Sequence, residues 1–420
     1  MDGSRTYPAA PTVVVLEGRP VTADWGSTAL LAPFVARTNV PAGGSPHAEV
    51  WFGAHHRHPS WVVVDGARVP CTEVAGLEHP TFLVKLLAAS APLSIQVHPD
   101  ARTARAGFAA EEAAGLARED ARRRYADASG KPELLRALGP MRVLCGLRPA
   151  TTSRRLLSEL VPSGADMLLA GLARGDAALG DVIADLLRAD KASSARLIDA
   201  VRSGAEAIVA RGEPDGPDRL LRMAHLVLDL TARFPGDPGV LVALLLEDLD
   251  LAPGEAVYVG PGTPHAYLSG LGVEVMSSSD NVLRGGMTTK HVDVEAFLDV
   301  LDVTTLGARR VGTLARQYEG SGWQRHVTPT DAFVLNEADV DGVLLVERSG
   351  VGPSVLLCVD GEVAVRAGDG SAAELRPGGA VLLTRGLDPV EVRGRGLVLH
   401  AGAGRTIRAS VAGRRQSAAA

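Results

Sequence analysis

The sequence predicts a mainly β fold that is interrupted by a helical insert. Short runs rich in β-branched residues, separated by Gly and Pro, fill both ends of the chain. The segment 102–235 instead has Ala and Leu at helical spacing. The chain has 420 residues, which is more than one hydrophobic core usually holds. We therefore expect two sheet-rich modules around one helical module.

The first sheet-rich module extends to about residue 100. Its strand-like runs are "TVVVL" at 12–16, "WVVV" at 61–64 and "LSIQV" at 93–97. Each is short, apolar and bounded by turn residues, which is typical of strands in a β-barrel or sandwich.

The helical module follows. In "SRRLLSEL" at 153–160 and "PDRLLRMAHLVLDL" at 217–230 the leucines fall on one face of a helix. Pro217 suits the first turn of the second helix. The segment "FPGDPG" at 234–239 then ends the helical pattern.

The second sheet-rich part begins near residue 251. "LAPGEAVYVGPGTPH" at 251–265 and "LRPGGAVLLTRG" at 375–386 both place a Pro-Gly turn before a short apolar strand. Small β-barrels built from such hairpins often occur in pairs. Only His400 lies near the later copy, so we expect that copy to be structural.

Charge and cysteine content exclude several classes of protein. Charged residues make up 22%, the net charge is −6 and the basic residues are scattered, which argues against nucleic acid or anionic membrane as a partner. The three cysteines, Cys71, Cys145 and Cys358, form no CxxC pair, so no disulfide framework or cysteine zinc site is expected. With no signal-peptide pattern and no long apolar run, we expect a cytoplasmic protein.

Three distant segments carry side chains that suit a divalent metal. Gln96 and His98 lie two apart on a predicted strand, so both point to one face. Glu133 occurs in "GKPELL", and a Gly-Pro turn precedes His265 in "PGTPHAYL". Two imidazoles, one carboxylate and one amide oxygen form a set that suits Zn²⁺ or another borderline ion. Taken alone, Gln96, His98 and His265 are each more typical of a core or surface position than of a metal ligand, and the spacing leaves their convergence open.

The motifs around these residues resemble those of one enzyme family. The matching segments are "DWGS" (24–27), "AEVWFGAHHRHPS" (48–60), "FLVKLLAASAPLSIQVHPD" (82–100), "YADASGKPELL" (125–135) and "PGEAVYVGPGTPHAYLSGLGVEVMSSSDNVLRGGMTTKHVDVEAFLDVL" (253–301). In order and spacing they are similar to type I mannose-6-phosphate isomerases, zinc enzymes of the cupin superfamily.

The resemblance implies a fold and a ligand set. One zinc ion per chain would be held by Gln96 and His98 of the QVHPD motif, Glu133 of the KPE motif and His265 of the PHAY motif. The implied domains are a catalytic cupin-type β-barrel (1–101 and 236–307), an α-helical insert (102–235) and a second cupin-like β-barrel (308–410), followed by a disordered tail (411–420).

The remaining site residues come from the resemblance, which implies Arg284, Lys290, Lys85 and Lys131, and from residue type and strand position, which suggest the others. Arg284 is placed at the active site and Lys290 on its phosphate side, both within "EVMSSSDNVLRGGMTTK" at 274–290. The candidates for acid/base chemistry are Lys85, Lys131, Glu274 and Asp280. Ser94 and Tyr267 share faces with Gln96 and His265 and are expected to hydrogen-bond substrate. Trp25 and Trp51 are expected in the core, and the histidines of "HHRH" at 55–58 on a surface loop.

The expected reaction interconverts mannose 6-phosphate and fructose 6-phosphate through a cis-enediol, in a monomer whose only partner is a sugar phosphate. Two alternatives stay open: a cupin dioxygenase with an iron site, and a non-catalytic sugar- or metal-binding cupin. One departure matters, because many family members carry Asn-His where this chain has Ser129 and Gly130. Any role of that histidine in ring opening does not transfer to this chain.

Overall fold

A computed structural model gives the fold. It describes residues 10–35, 46–64, 66–120, 122–161, 163–212, 219–304, 309–311, 313–315, 322–346, 352–386 and 388–404. The predicted tail at 411–420 lies outside these residues.

The N-terminal part is almost entirely strand. Its elements are β1 (Val13–Leu16), β2 (Arg19–Ser27), the short helix α1 (Ala32–Val35), β3 (His47–Phe52), β4 (Trp61–Val64), β5 (Ala67–Pro70), β6 (Phe82–Ala89) and β7 (Ile95–Val97). Then come α2 (Ala101–Ala113), β8 (Glu133–Ala137) and β9 (Met141–Leu147). Asp100 caps α2, because its carboxylate accepts a hydrogen bond from the Thr103 N–H.

Helices then dominate before the strands return. The helices are α3 (Ala150–Leu160), α4 (Asp166–Ala173), α5 (Leu179–Arg188), α6 (Lys191–Ala210), α7 (Arg219–Arg233) and α8 (Gly239–Ala243). They are followed by β10 (Leu246–Leu251), β11 (Ala256–Val259), β12 (His265–Ser277), β13 (Leu283–Gly286) and α9 (Val294–Val300). The C-terminal strands are β14 (Arg309–Val311), β15 (Thr313–Ala315), β16 (Gln324–His326), β17 (Val334–Val346), β18 (Ser354–Ala367), β19 (Ala372–Leu375), β20 (Ala380–Leu383) and β21 (Val390–Gly402).

Two large antiparallel sheets organise these strands. An eleven-stranded sheet has the order β14-β11-β8-β12-β6-β3-β2, with β7, β9, β10 and β13 attached beside it. An eight-stranded sheet contains β15 to β21 and also β1. The expectation of a mainly β protein with a helical insert is confirmed.

The boundaries differ from the predicted ones in two places. The segment 102–235 is not helical throughout, because β8 and β9 lie within it and join the eleven-stranded sheet. The N-terminal strand β1 pairs with β20 and therefore belongs to the C-terminal sheet. The residues of "ELLRA" favour helix, and only the neighbouring strands make this segment extended.

One long strand, β12, connects both halves of the eleven-stranded sheet. Its residues 270–277 pair with β6, and its residues 265–269 pair with β9 and, at His265, with β7. Gly270 marks the change at a φ of 115°, where a Cβ atom would lie 2.5 Å from the Pro140 carbonyl oxygen. Glycine is required there, because other residues rarely adopt this backbone conformation.

The core between the sheets is apolar. Val84 and Leu86 of β6 pack in one cluster with Phe333, Leu335 and Val355 near and within the C-terminal sheet. The other face of β6 carries Leu83, Lys85, Leu87 and Ala89. The eight-stranded sheet thus packs against the outside of the eleven-stranded sheet. Among the described residues, no helix is long and apolar enough to cross a membrane.

Candidate active site

Three of the four predicted metal ligands meet inside the eleven-stranded sheet. His98 directly follows β7, Glu133 begins β8 and His265 begins β12. The Nε2 atom of His98 lies 3.3 Å from Glu133 Oε1, and Nε2 of His265 lies 3.4 Å from Glu133 Oε2. All three side chains are buried. They form one of two groups of His, Cys, Asp or Glu with metal-site spacing among the described residues.

Backbone carbonyls orient both imidazoles. Nδ1 of His98 donates to the Asn281 carbonyl at 2.7 Å, and Nδ1 of His265 donates to the Thr263 carbonyl at 3.0 Å. Since a carbonyl can only accept, each ring carries its proton on Nδ1 and leaves the Nε2 lone pair toward Glu133. The buried Nε2 of His98 has no hydrogen-bond partner within the described part of the chain.

These residues fit zinc. Zinc ligands lie about 2 Å from the ion, so two tetrahedral ligands lie about 3.3 Å apart. Burial, followed by the charge of Lys131, lowers the pKa of His98 to about 4, which keeps the ring neutral as a ligand must be. Burial opposes the ionisation of Glu133, but Lys131 at 3.0 Å from its Oε1 helps to hold the pKa well below its usual value.

Gln96 lies beside this group. It is the register partner of His265 across β7 and β12 and of Arg284 across β7 and β13. Its amide nitrogen donates to the Ser94 hydroxyl at 3.4 Å, which leaves the amide oxygen available to a metal. The strand therefore brings Gln96 and Ser94 together next to the metal-ligand group.

A second buried polar group lies on the neighbouring strands. Lys85 of β6 and Glu274 of β12 are register partners, and their Nζ and Oε2 atoms lie 3.0 Å apart. The Tyr267 hydroxyl donates to Glu274 Oε1 at 2.9 Å and lies 3.5 Å from Glu133 Oε2. Tyr267 thus connects Glu274 to the metal-ligand group.

Burial and the nearby Glu133 raise the pKa of Glu274, although Lys85 opposes the shift. Burial disfavours the ammonium form of Lys85, but Glu49 and Glu274 outweigh burial and raise the pKa of the lysine. This pair therefore holds a cationic lysine against a carboxylate that is easier to protonate than usual.

Glu49 and Trp51 belong to the same neighbourhood. No sequence pattern pointed to Glu49, and Trp51 was expected in the core. Glu49 Oε1 lies 3.3 Å from Lys85 Nζ, and the indole N–H of Trp51 donates to Glu49 Oε2 at 3.0 Å. The Lys85 ammonium lies 4.9 Å from the centre of the Trp51 ring. Trp25 packs at the edge of the core, as expected.

Arg284 is a partly buried cation without a carboxylate partner among the described residues. Its Nε atom is buried and makes no hydrogen bond there. Burial alone lowers its pKa. Partial burial, followed by the charge of Arg284, lowers the pKa of Lys290, so the two cations lie near each other. Two adjacent cations of this kind suit an anionic ligand.

Asp280 lies in a different cluster from the metal ligands. Its carboxylate is 3.1 Å from His55 Nε2, 3.6 Å from His56 Nε2 and 2.9 Å from an Arg57 nitrogen. Burial favours the protonated form, but these partners outweigh it and lower the pKa of Asp280 to about 2. The expectation of a surface loop is wrong for His55, which is 3% exposed. His55, His56 and Asp280 also have metal-site spacing, but Arg57 already supplies a cation there.

Comparison with known proteins decides the family. A family model for the catalytic domain of type I phosphomannose isomerases matches residues 16–150. The mannose-6-phosphate isomerase of Escherichia coli K12 is 31% identical over 391 residues, covering 89% of this chain and 95% of that protein. This chain belongs to the mannose-6-phosphate isomerase family. The resemblance inferred from the sequence motifs is thereby confirmed.

Solved structures of the family share the whole fold. A crystal structure of a phosphomannose isomerase variant from Salmonella typhimurium matches with a TM-score of 0.80 and 26% identity, covering 94% of this chain and 100% of that one. A zinc-bound mannose 6-phosphate isomerase matches with a TM-score of 0.79 and 26% identity over the same share of this chain. The cupin-like architecture predicted for this isomerase family member is confirmed.

The chain packs closely around Ser129 and Gly130, the two residues that replace the Asn-His of many family members. A Cβ atom on Gly130 would lie 2.6 Å from the backbone nitrogen of Ala101, at the start of α2. The Gly130 carbonyl accepts a 2.7 Å hydrogen bond from the Ser277 hydroxyl. The loop before Lys131 is thus held closely against α2 in a position where this chain has no side chain.

Proposed function

We propose that this member of the isomerase family interconverts D-mannose 6-phosphate and D-fructose 6-phosphate with one zinc ion per chain. The observation that carries the proposal is the buried group of His98, Glu133 and His265 beside the hydrogen-bonded group of Lys85, Tyr267 and Glu274. With Gln96 as fourth ligand, zinc would supply a Lewis acid for the negative charge that develops on the sugar oxygens.

Glu274 is proposed as the acid/base residue of the cis-enediol step. The aldose becomes the ketose when one proton moves from C2 to C1 and the hydroxyl proton moves from O2 to O1. One carboxylate that accepts the C2 proton and returns it to C1 is sufficient for the carbon-to-carbon transfer. Glu274 is buried, has a raised pKa and is oriented by Lys85 and Tyr267. Asp280 is less suited, because its three cationic or imidazole partners make it a weak base.

Lys85 and Lys131 are proposed to bind oxygen atoms of the sugar, including its ring oxygen. Both ammonium groups are buried against carboxylates that border the metal-ligand group. A cation in such a position can donate a hydrogen bond to the ring oxygen during ring opening and later stabilise the enediolate. No histidine is needed at position 130 for this role.

Arg284 and Lys290 are proposed to bind the phosphate. A guanidinium presents a planar fork that pairs with phosphate oxygens, and Lys290 adds a second positive charge. Arg284 is the register neighbour of Gln96, so a sugar phosphate can reach both the cation pair and the metal ligands. Ser94 and Tyr267 would donate further hydrogen bonds to the sugar.

The partner is then a small sugar phosphate bound by a monomer. The buried polar groups beside the ligand cluster argue against a dioxygenase, which would favour an apolar pocket for its substrate. The retained ligands and Arg284 argue against a non-catalytic binding protein.

A coupled assay tests the proposal. Purified protein is incubated with mannose 6-phosphate, and fructose 6-phosphate is detected through a linked dehydrogenase. We expect turnover that a chelator abolishes and added Zn²⁺ restores. Activity that survives complete removal of metal would contradict the zinc requirement, and no isomerisation by the zinc-loaded protein would contradict the function itself.

A further inference from the structure

We propose that Asn281 is a positioning residue that fixes the zinc ligands from two chain segments relative to each other. The inference rests on the proposed zinc site and concerns a residue that touches neither zinc nor substrate. The Asn281 carbonyl accepts the Nδ1 proton of His98 at 2.7 Å, and its side chain binds the loop that leads to Lys131 and Glu133.

The amide of Asn281 is fully used by backbone groups of that loop. Its Oδ1 accepts from the Ala126 N–H at 2.7 Å, and its Nδ2 donates to the carbonyls of Asp127 at 2.9 Å and Ser129 at 2.8 Å. Asn281 is 1% exposed, so water cannot replace these bonds. The orientation is unique, because a flipped amide would place oxygen against two carbonyls.

Asp127 completes the connection from the other side. Its carboxylate accepts from the Asp280 N–H at 2.8 Å, from the Ser279 hydroxyl at 3.0 and 3.1 Å and from the Ser129 N–H at 2.8 Å. Each loop therefore binds the backbone of the other through a side chain, that of Asn281 being buried and that of Asp127 half-buried. The carbonyl that orients His98 is held by this pair of loops.

The amide of Asn281 thus couples two proposed ligands, His98 and Glu133, that lie 35 residues apart in the sequence. Loss of the amide would loosen both the Asn281 carbonyl that binds His98 and the loop that leads to Glu133. Outer partners of metal ligands typically contribute 10- to 100-fold in metal affinity. We expect a loss in this range for Asn281→Ala, measured as the zinc dissociation constant in competition with a chromophoric chelator and without substrate.

Asn336→Ala is the matched control. Asn336 is also a buried asparagine whose amide bonds a backbone carbonyl, that of His400, but it lies in the C-terminal sheet. We expect both variants to lose thermal stability and only Asn281→Ala to lose zinc affinity. Wild-type affinity in Asn281→Ala, or an equal loss in both variants, would overturn the proposal. Neither result depends on isomerase activity, so failure of the proposed function would be seen separately.

A second measurement covers the case in which Asn281→Ala does not fold. Anomalous diffraction from crystals of the zinc-loaded wild-type protein locates the ion relative to the His98 ring. Zinc on Nε2, with Nδ1 still bonded to the Asn281 carbonyl, is the expected result. Zinc on Nδ1 would break that bond and overturn the proposal.

Discussion

Tyr267 and Glu274 lie seven residues apart on the same bent strand, and the phenol of the first donates a 2.9 Å hydrogen bond to the carboxylate of the second. The bend at Gly270 separates them, so one strand supplies both the proposed metal ligand His265 and the proposed acid/base residue Glu274. The geometry of a single strand therefore connects the two residues that we propose for metal binding and for proton transfer.

Tyr267→Phe tests this relationship. The variant removes a donor that stabilises ionised Glu274, so we expect kcat to fall by about 10- to 100-fold. Since the donor favours the charged form, its loss raises the pKa of Glu274 and moves the acidic limb of the kcat/KM profile to higher pH. The profile is measured with zinc content as the control. An unchanged kcat with a raised KM and no shift of the acidic limb would assign Tyr267 to substrate binding alone.

The sequence predicted the residues that stand in continuous motifs and missed those whose partners are remote. QVHPD, KPE and PHAY are short, so their ligands could be proposed from residue type and resemblance. Asn281 is polar and buried, but its partner at 126 lies 155 residues away, and a single sequence gives no sign of that contact.

The same limit explains the structural differences. The strand β8 consists of residues that suit helices, and its extended form is imposed by pairing with β11 and β12. His55 lies in a polar, histidine-rich stretch that resembles a surface loop, yet Asp280 and Trp51 cover its ring. Tertiary contacts override the local pattern in both cases.

Removal of the cation at Arg284 should separate phosphate binding from metal binding. We expect Arg284→Ala to lower kcat/KM by about 100-fold or more, because a partly buried guanidinium gives charge-assisted bonds to phosphate oxygens. Zinc should stay near one per chain, since the side chain is proposed to bind phosphate and not the metal. Arg284→Lys keeps the charge but loses the fork, and we expect intermediate activity. Wild-type turnover of Arg284→Ala would exclude this role.

The metal-free protein should lose stability as the pH falls from about 6.5. The pKa of His98 is about 4 in the folded protein and about 6.5 when unfolded. Between these values the unfolded chain binds more protons, so the free energy of unfolding decreases with acidification, by up to about 3 kcal/mol over the whole window. Above pH 6.5 this contribution is complete.

Urea unfolding of the metal-free protein at pH 5.5 and 7.5 measures this pH dependence of the free energy of unfolding. Both pH values lie above the usual pKa values of carboxyl groups. His98→Gln is the control, because it removes the titrating ring from the same buried place. We expect a smaller pH dependence in that variant. An equal dependence in both proteins would assign the effect to other groups.

Gly130 should not accept the histidine that many family members carry near this position. A Cβ atom added at position 130 would lie 2.6 Å from the Ala101 backbone nitrogen. The backbone there cannot move aside as a flexible side chain would. We expect Gly130→Ala and Gly130→His to lower the free energy of unfolding by about 1–3 kcal/mol. Gly139→Ala is the matched control, since no atom lies within 4 Å of its added Cβ. Equal stabilities of the variants at 130 and 139 would show that the loop can move away from α2.

Gln96 provides the test of the fourth metal ligand. A neutral amide oxygen in place of a second carboxylate leaves the site with less negative charge, which suits an anionic substrate. We expect Gln96→Ala to weaken zinc retention by about 10- to 100-fold. Mutation of a single residue that only hydrogen-bonds a metal ligand already causes a loss of affinity in this range. Gln96→Glu should retain zinc but raise KM for mannose 6-phosphate, because the added charge repels the phosphate. Chelator competition and steady-state kinetics measure the two effects, and unchanged zinc retention in Gln96→Ala would remove Gln96 from the ligand set.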